Sequence, residues 1–367
     1  MLTQQGFEEI VGGRIANSKA GWLDEQHEIG RRERQDTQRA AESPGLAQSF
    51  VGTVNLDLST PELTGAALEL IREKDSIPLT HLFRDATKRA QGAIERGDIE
   101  AELGDGLDKL GCLAATFLVY EQQEWFDRVV ATFAQIYSIG VRDQEQARSF
   151  GFSTQINPAT PAPRIWLEVI QRVFAVGALA VRLKNWPAVR TLTLQLPDRI
   201  DYGYEVNWLR HALTMSSRAQ HLDHVEDGRT LYISLLTLAR GHVERLDCMR
   251  PDGLEGEDDA IFTALAQFDV LSNIVAIGDT DSIDAKVFYT NFARFRQERV
   301  EPIVTRLLSD DLMRQALFPL GDAKLAAALL AIATMAHAEG MRYDGFMGWG
   351  RGSPVGGFIA KHAPSDS

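Results

Sequence analysis

The chain has 367 residues, of which 44% are apolar and 24% charged, a balance typical of folded globular proteins that disfavours a fully disordered chain. The formal net charge of −13 disfavours general binding of nucleic acid, because a polyanion attracts a basic surface, although a local basic patch is compatible with it. The two cysteines, Cys112 and Cys248, form no CxxC motif, so we expect neither a disulfide framework nor a zinc site.

The composition also bears on the compartment. We find no run of about 18 apolar residues that would predict a membrane span, and the first residues lack the basic start and apolar stretch of a signal peptide. Arginine outnumbers lysine and alanine is abundant, a bias that favours a high-GC bacterial source. We therefore expect a cytoplasmic bacterial protein that does not enter a membrane.

The predicted elements begin with a polar segment. Residues 1–50 have no apolar stripe and predict a weakly held N-terminal arm, which a break at Pro44 separates from the rest. Apolar and polar residues alternate over 51–58, which is compatible with one short strand. Thr60 and Pro61 then predict a helix start, with Thr60 as N-cap and proline at the first helical position.

Two later helical pairs follow the same plan. In each, a helix rich in small residues runs into a short polar turn that is followed by a tryptophan. Trp125 lies eleven residues after Ala114, and Trp186 lies eleven residues after Ala175. This recurrence at a spacing of 61 residues predicts helical hairpins that stack irregularly, as in tetratricopeptide-like or other solenoids. The alternative is that any helical hairpin places an aromatic side chain at its turn.

Amphipathic patterns continue to residue 340 and predict an all-α fold. Three prolines within 157–163 interrupt regular structure and mark either a domain boundary or a loop within one array. We divide the chain into the polar arm, an N-terminal helical subdomain, a C-terminal helical subdomain and a glycine-rich strap, over residues 1–50, 51–156, 157–340 and 341–367.

Two places have residue types that could hold a metal. His221 and His224 lie three residues apart, a spacing that lets two histidines on a helix share an ion. The residues around them read as a helix end running into a turn, which favours solvated or capping histidines over a metal site. Asp252, Asp284 and Lys286 could hold a divalent metal and position a water for phosphodiester cleavage. That chemistry is usually built on adjacent strands, whereas the sequence between these residues predicts a helix.

Arginines give the best local candidate for an anion or an acidic partner. Arg294, Arg296 and Arg299 alternate with phenylalanines on a predicted amphipathic helix with a basic outer face. Arg351 is the one charge in the segment GFMGWGRGSPVGGF at 345–358 that could face a ligand.

That segment has six glycines but cannot be aligned with a GxxxxGK[ST] phosphate loop, and it follows a predicted helix rather than a strand. We expect no nucleotide or other cofactor. We predict instead a C-terminal strap that docks aromatic side chains, Phe358 among them, onto the helical body.

Four blocks of the chain resemble segments of large bacterial proteins described as ATP-binding, which carry an N-terminal Schlafen-AlbA-type domain followed by a helical region: LRHALTMSSRAQHL, ALAQFDVLSNIVAI, FYTNFARFRQERVEP and GFMGWGRG. The resemblance covers roughly residues 100–360, and we find no Schlafen-AlbA-type domain in this sequence. It implies a helical sensor or interaction module in bacterial defence or regulation.

We therefore expect a non-enzymatic helical module that binds a protein partner or a second copy of itself. Two alternatives stay open. One is a metal-dependent phosphodiesterase or nucleotide-handling enzyme that uses Asp252, Asp284 and Lys286, and the other is a small-ligand sensor with a pocket between helical hairpins.

Overall fold

The computed structural model describes residues 57–73, 77–97, 102–149, 161–196, 199–201, 204–206, 239, 241–242, 258–279, 297–338 and 352–363. The helices in these ranges confirm the predicted all-α class. They are α1 (Thr60–Glu73), α2 (Ile77–Arg96), α3 (Glu102–Val119), α4 (Gln123–Ser149), α5 (Pro161–Arg182), α6 (Trp186–Gln195), α7 (Asp258–Asp279), α8 (Gln297–Ser309), α9 (Asp311–Leu317), α10 (Asp322–Ala338) and α11 (Pro354–His362). Two three-residue strands, β1 (Arg199–Asp201) and β2 (Tyr204–Val206), pair in antiparallel fashion with Ile200 opposite Glu205.

The long helices pack in two rows. In the first row, α1 contacts α3, α3 contacts α5, α5 contacts α7 and α7 contacts α10. In the second row, α2 contacts α4, α4 contacts α6 and α6 contacts α9. Helix α8 contacts both α7 and α9. Each row covers the apolar side of the other, which is how helices with one apolar face bury it. The tetratricopeptide-like repeat detail stays a prediction.

Helix α5 is the centre of this packing. It contacts α3, α4, α6 and α7, and every residue from Val169 to Val181 is buried. A helix that is buried on all sides belongs to the interior of a protein. Since α3 and α4 precede the predicted boundary at 157–163 and α5 follows it, residues of both predicted subdomains contribute to one core, and the division into subdomains stays a prediction.

Small residues allow the helices of the first row to approach closely. A Cβ atom on Gly177 of α5 would lie 2.5 Å from the ring of Phe268 in α7, too close for any real contact. The Phe268 ring meets Phe174 edge-on, with centroids 5.4 Å apart, a preferred aromatic geometry. Glycine at 177 is therefore required by the contact between α5 and α7.

Helix α7 is long and apolar enough to cross a membrane, over Ala260–Asp279 with a mean hydropathy of 1.7. Among the described residues, α9 and the first part of α10 would pass the same test together, bent by 80°. In α7, 78% of the apolar window is buried inside the protein. Burial of this kind is expected of a core helix, so the length and hydropathy of these helices are weak evidence for a membrane span.

The start of α1 differs by one residue from the sequence prediction. The N-cap is Ser59 rather than Thr60, because Glu62 reaches back and accepts hydrogen bonds from the backbone N–H of Ser59 at 2.9 Å and from its Oγ at 2.6 Å. This is the Ser-x-x-Glu relation that often begins a helix. The predicted strand at 51–58 lies outside the described residues except for Asp57 and Leu58, which form a turn and a bend.

The C-terminal strap is helical where the structure describes it. Ser353 caps α11 by accepting a hydrogen bond from the N–H of Gly356 at 3.0 Å, and Pro354 follows in the first turn. The expectation of a wrapping strap is therefore corrected for 354–362, because this Ser-Pro pair starts a helix despite the glycines. Val355 is buried and Phe358 packs against the core.

The turns that end α3 and α5 share one geometry. Glu121 and Lys184 both have φ of +56°. The N–H of Gln122 donates to the carbonyl of Phe117 at 2.8 Å, and the N–H of Asn185 donates to that of Ala180 at 2.9 Å. This is the Schellman arrangement, with one residue in the left-handed region just after the helix.

The turns recur at a spacing of 63 residues, whereas the tryptophans recur at 61. Trp125 lies two residues inside α4, but Trp186 is the first residue of α6. The two tryptophans are therefore not at equivalent positions in their hairpins, and the helical repeat stays a prediction. What recurs is the way each preceding helix ends.

Replacing Lys184 with glycine should raise the free energy of unfolding by about 1 kcal/mol, because a side chain is strained in the left-handed region and glycine is not. Urea unfolding of the variant measures this. Lys184→Ala is the matched control: it removes the same exposed side chain but keeps a Cβ atom, so it should gain much less. Equal stability of both variants would contradict the role of the positive φ.

Candidate functional site

Most residues that the sequence singled out lie outside the described part of the chain: His221, His224, Asp252, Asp284, Lys286, Arg294, Arg296 and Arg351. Arg299 is described, in α8. Its Nη1 lies 3.4 Å from the Thr263 hydroxyl of α7, and its carbonyl accepts a hydrogen bond from Gln267 at 3.2 Å. The structure thus places Arg299 at a contact between two helices, and its role in binding an anion or partner stays a prediction.

The described residues instead bring together a charged cluster that the sequence did not reveal. Helix α3 supplies Asp108, and α5 supplies Glu168, Gln171 and Arg172. Residue 242, in helical conformation, adds His242. Glu168 and Arg172 are one turn apart on α5, a spacing that lets opposite charges meet. We call these five residues the Arg172 cluster.

Arg172 lies at the centre of the cluster, with its side chain 2% exposed. Its Nε and Nη2 atoms lie 3.0 Å and 2.9 Å from the same Asp108 oxygen, Oδ1. Nη1 donates to the carbonyl of Glu168 at 3.1 Å and to the carboxylate of the same residue. Nη2 also donates to the carbonyl of Gly104 at 3.3 Å.

Four of these contacts are hydrogen bonds, and the fifth, between Nη2 and Asp108 Oδ1, is an ion-pair contact. Every nitrogen of the guanidinium group therefore faces an oxygen atom of the protein. A buried charge is tolerated when it is both paired and hydrogen-bonded, and Arg172 meets both conditions.

His242 is buried beside this pair. Its Nδ1 lies 3.1 Å from Asp108 Oδ1, and its Nε2 lies 2.6 Å from Gln171 Oε1. Both ring nitrogens thus face oxygen atoms of the protein. The residue connects its own segment to α3 through Asp108 and to α5 through Gln171.

Asp108 is held in its ionised form. Burial raises the pKa of its carboxyl, but the hydrogen bond from His242 and the positive charge of Arg172 outweigh burial, so the pKa lies below its ordinary value of 3.8. Asp108 therefore carries a negative charge throughout the neutral range. The cluster contains two carboxylates against one guanidinium and one imidazole.

The arrangement ties helices together and leaves little for catalysis. A histidine acting as general base needs a ring nitrogen within reach of a substrate proton, and both nitrogens of the buried His242 face oxygen atoms of the protein. The guanidinium of Arg172 is also buried and directed at oxygen atoms of the protein. Within the described ranges, no group of three or more histidine, cysteine or acidic side chains could hold a metal ion.

A second set of buried polar side chains lies within α7. Asn273 donates through Nδ2 to the carbonyl of Asp269 at 2.9 Å, and the Ser272 hydroxyl donates to the carbonyl of Phe268 at 2.7 Å. These bonds run along one helix, so they satisfy these polar groups locally.

Comparison with protein-family models, with curated proteins and with solved structures gave no match to this chain. The assignment of a function therefore depends on the geometry of the described residues and on the sequence patterns.

Replacing Asp108 with asparagine should make the free energy of unfolding depend less steeply on pH in acid. The pKa of Asp108 is lower in the folded protein than in the unfolded chain. Its contribution to the free energy of unfolding is therefore fully present above the ordinary pKa and is lost as the pH falls through the pKa of the folded state. Urea unfolding between about pH 5 and about pH 1 measures this window.

Asp105→Asn, which removes an exposed carboxylate nearly one turn earlier on α3, is the matched control and should keep the wild-type dependence on pH. Parallel curves for the wild type and Asp108→Asn would contradict the ionised pairing.

Proposed function

We propose that this chain is a non-enzymatic helical module that binds a protein partner or a second copy of itself. The observation that supports this most is that the charged groups of the Arg172 cluster are buried or partly buried and face one another. Acidic, basic and imidazole groups converge there as they do in many active sites, yet each makes its contacts to the protein itself. Such a cluster sets the positions of helices and leaves the outer surface for binding.

Exposed apolar side chains support a role in binding. Leu312 in α9 and Leu320 in the turn before α10 are 77% and 69% exposed. Among the described residues, they are the large hydrophobic side chains most accessible to water. Apolar side chains that stay in water on a folded protein often lie at sites of protein contact, although isolated ones are also common.

The resemblance to helical regions of bacterial proteins with a Schlafen-AlbA-type domain supports a role as a sensor or interaction module in bacterial defence or regulation. The likeness is limited to short blocks of sequence and brings no catalytic residue to this chain.

The experiment compares the wild type with the double variant Leu312→Ser and Leu320→Ser. Sedimentation velocity over a range of concentrations measures self-association, and reciprocal co-purification measures binding of another protein. We expect a defined complex that the double variant weakens by about tenfold or more, equivalent to about 1.4 kcal/mol. The control double variant, Gln91→Ser and Glu95→Ser, changes two exposed residues of α2 and should bind as the wild type does.

Turnover of a compound from a hydrolase substrate panel, abolished by one point substitution in the chain, would contradict the proposal. Alanine at Asp284 is the variant to include, because the alternative phosphodiesterase activity would depend on it.

A further inference from the structure

We propose that helix α11 regulates the surface that carries Leu312 and Leu320, because its Phe358 packs against Arg314, the side chain that holds the corner between α9 and α10. Residues 310–322 include both leucines, and we call them the α9–α10 corner. The inference rests on the proposed function in one respect, since it takes this surface as the binding site.

Arg314 joins the two arms of the corner. Its Nε donates to Oδ1 of Asp322, at the start of α10, at 3.1 Å, and its Nη2 donates to the carboxylate of Asp311, at the start of α9. Its Nη1 donates to the carbonyl of Leu308 in the last turn of α8. One side chain thus connects three helices at the 80° bend between α9 and α10.

The two exposed leucines lie within this arrangement. Leu312 directly follows one of the carboxylates that Arg314 binds, and Leu320 lies two residues before the other. Between the leucines, Phe318 packs against α7, where a Cβ atom on Gly278 would lie 2.5 Å from its ring. The positions of both leucines therefore depend on the contacts of Arg314 and of Phe318.

Helix α11 contacts both members of the ion pair that closes the corner. The guanidinium carbon of Arg314 lies 5.9 Å from the centre of the Phe358 ring, within the range of a cation–π contact. Nδ1 of His362, one turn later, lies 4.0 Å from Oδ2 of Asp322. With its neighbours in place, the side chain of Arg314 is 14% exposed. Because charge pairs strengthen when water is excluded, the cover that Phe358 gives strengthens the contacts that Arg314 makes to the corner.

Helix α11 is suited to a reversible contact. It has nine residues, of which Gly356 and Gly357 are poor helix formers and Val355 is buried. Helices shorter than about 12 residues are barely stable alone in water, so α11 depends on its contacts with α8 and α10. Elements held by few buried contacts open at a low free energy. Detachment of α11 would expose Arg314 to water and loosen the corner.

Amide hydrogen exchange of the full chain tests this coupling without any partner. The N–H of Arg314 donates to the carbonyl of Asp310 at 3.0 Å, and the N–H of Phe318 donates to that of Arg314 at 2.7 Å. In Phe358→Ala we expect exchange over residues 310–322 to rise about threefold or more, while α3 and α5 exchange as in the wild type. Lys361→Ala removes an exposed side chain of the same helix and is the matched control. Unchanged exchange at the corner, or an equal rise in α3 and α5, would overturn the inference.

Two further variants separate the ring of Phe358 from its bulk and serve if Phe358→Ala does not fold. Phe358→Leu keeps an apolar side chain but has no ring to cover the guanidinium, so exchange at the corner should rise. Phe358→Tyr keeps the ring and should exchange as the wild type does. Wild-type exchange in Phe358→Leu would show that the contact with Arg314 does not hold the corner.

Binding measurements on the same variants distinguish this inference from the proposed function. Where the wild type forms a complex in sedimentation velocity or co-purification, we expect Phe358→Ala to weaken it several-fold and Lys361→Ala to leave it unchanged. Equal binding by all three proteins would overturn the regulation by α11. A wild type that forms no complex, with a loosened corner in Phe358→Ala, would contradict the proposed function and support the coupling of α11 to the corner.

Discussion

The packing of this protein depends on how one buried cation is accommodated. Arg172 lies in the middle of α5, the helix that the other long helices surround, with its side chain 2% exposed. A guanidinium cannot lose its proton to escape burial, so the helices beside it must supply acceptors. The carboxylate of Asp108 and the carbonyl of Gly104, one turn apart on α3, do so. This requirement fixes the rotation and the height of α3 relative to α5.

A paired buried ion contributes less to stability than its contacts suggest, because both charges give up water, and an apolar pair of the same shape can be as stable. Its effect is on which packing is allowed. Sliding α5 by one turn would separate Arg172 from Asp108 and from the carbonyl of Gly104, and the buried guanidinium would keep only Glu168 of its own helix. The close contact of Phe268 with Gly177 restricts the packing of α5 against α7. We infer that the Arg172 cluster restricts the packing of α5 against α3 in the same way.

Local patterns predicted much of the fold but not this cluster. The spacing of apolar residues predicted the helices, and Thr60 with Pro61 marked the start of α1 to within one residue. The tryptophans gave the wrong spacing between the two hairpins, because a conspicuous side chain was matched instead of the backbone turn. That turn has no glycine to mark it in the sequence. The pairing of Glu168 with Arg172 could have been suspected from their spacing within an apolar stretch. Asp108 and His242 could not, since they are 64 residues from Arg172 and 71 from Gln171, and only tertiary structure joins them.

The most direct test of this account is a double-mutant cycle between Asp108 and Arg172. It compares the free energies of unfolding of the wild type, Asp108→Asn, Arg172→Met and the double variant by urea unfolding. If the two side chains act as one unit, the double variant loses less stability than the sum of the single losses, with an interaction energy of about 1–3 kcal/mol. Losses that add to within about 0.5 kcal/mol would show two independent side chains and contradict the central role of the pair.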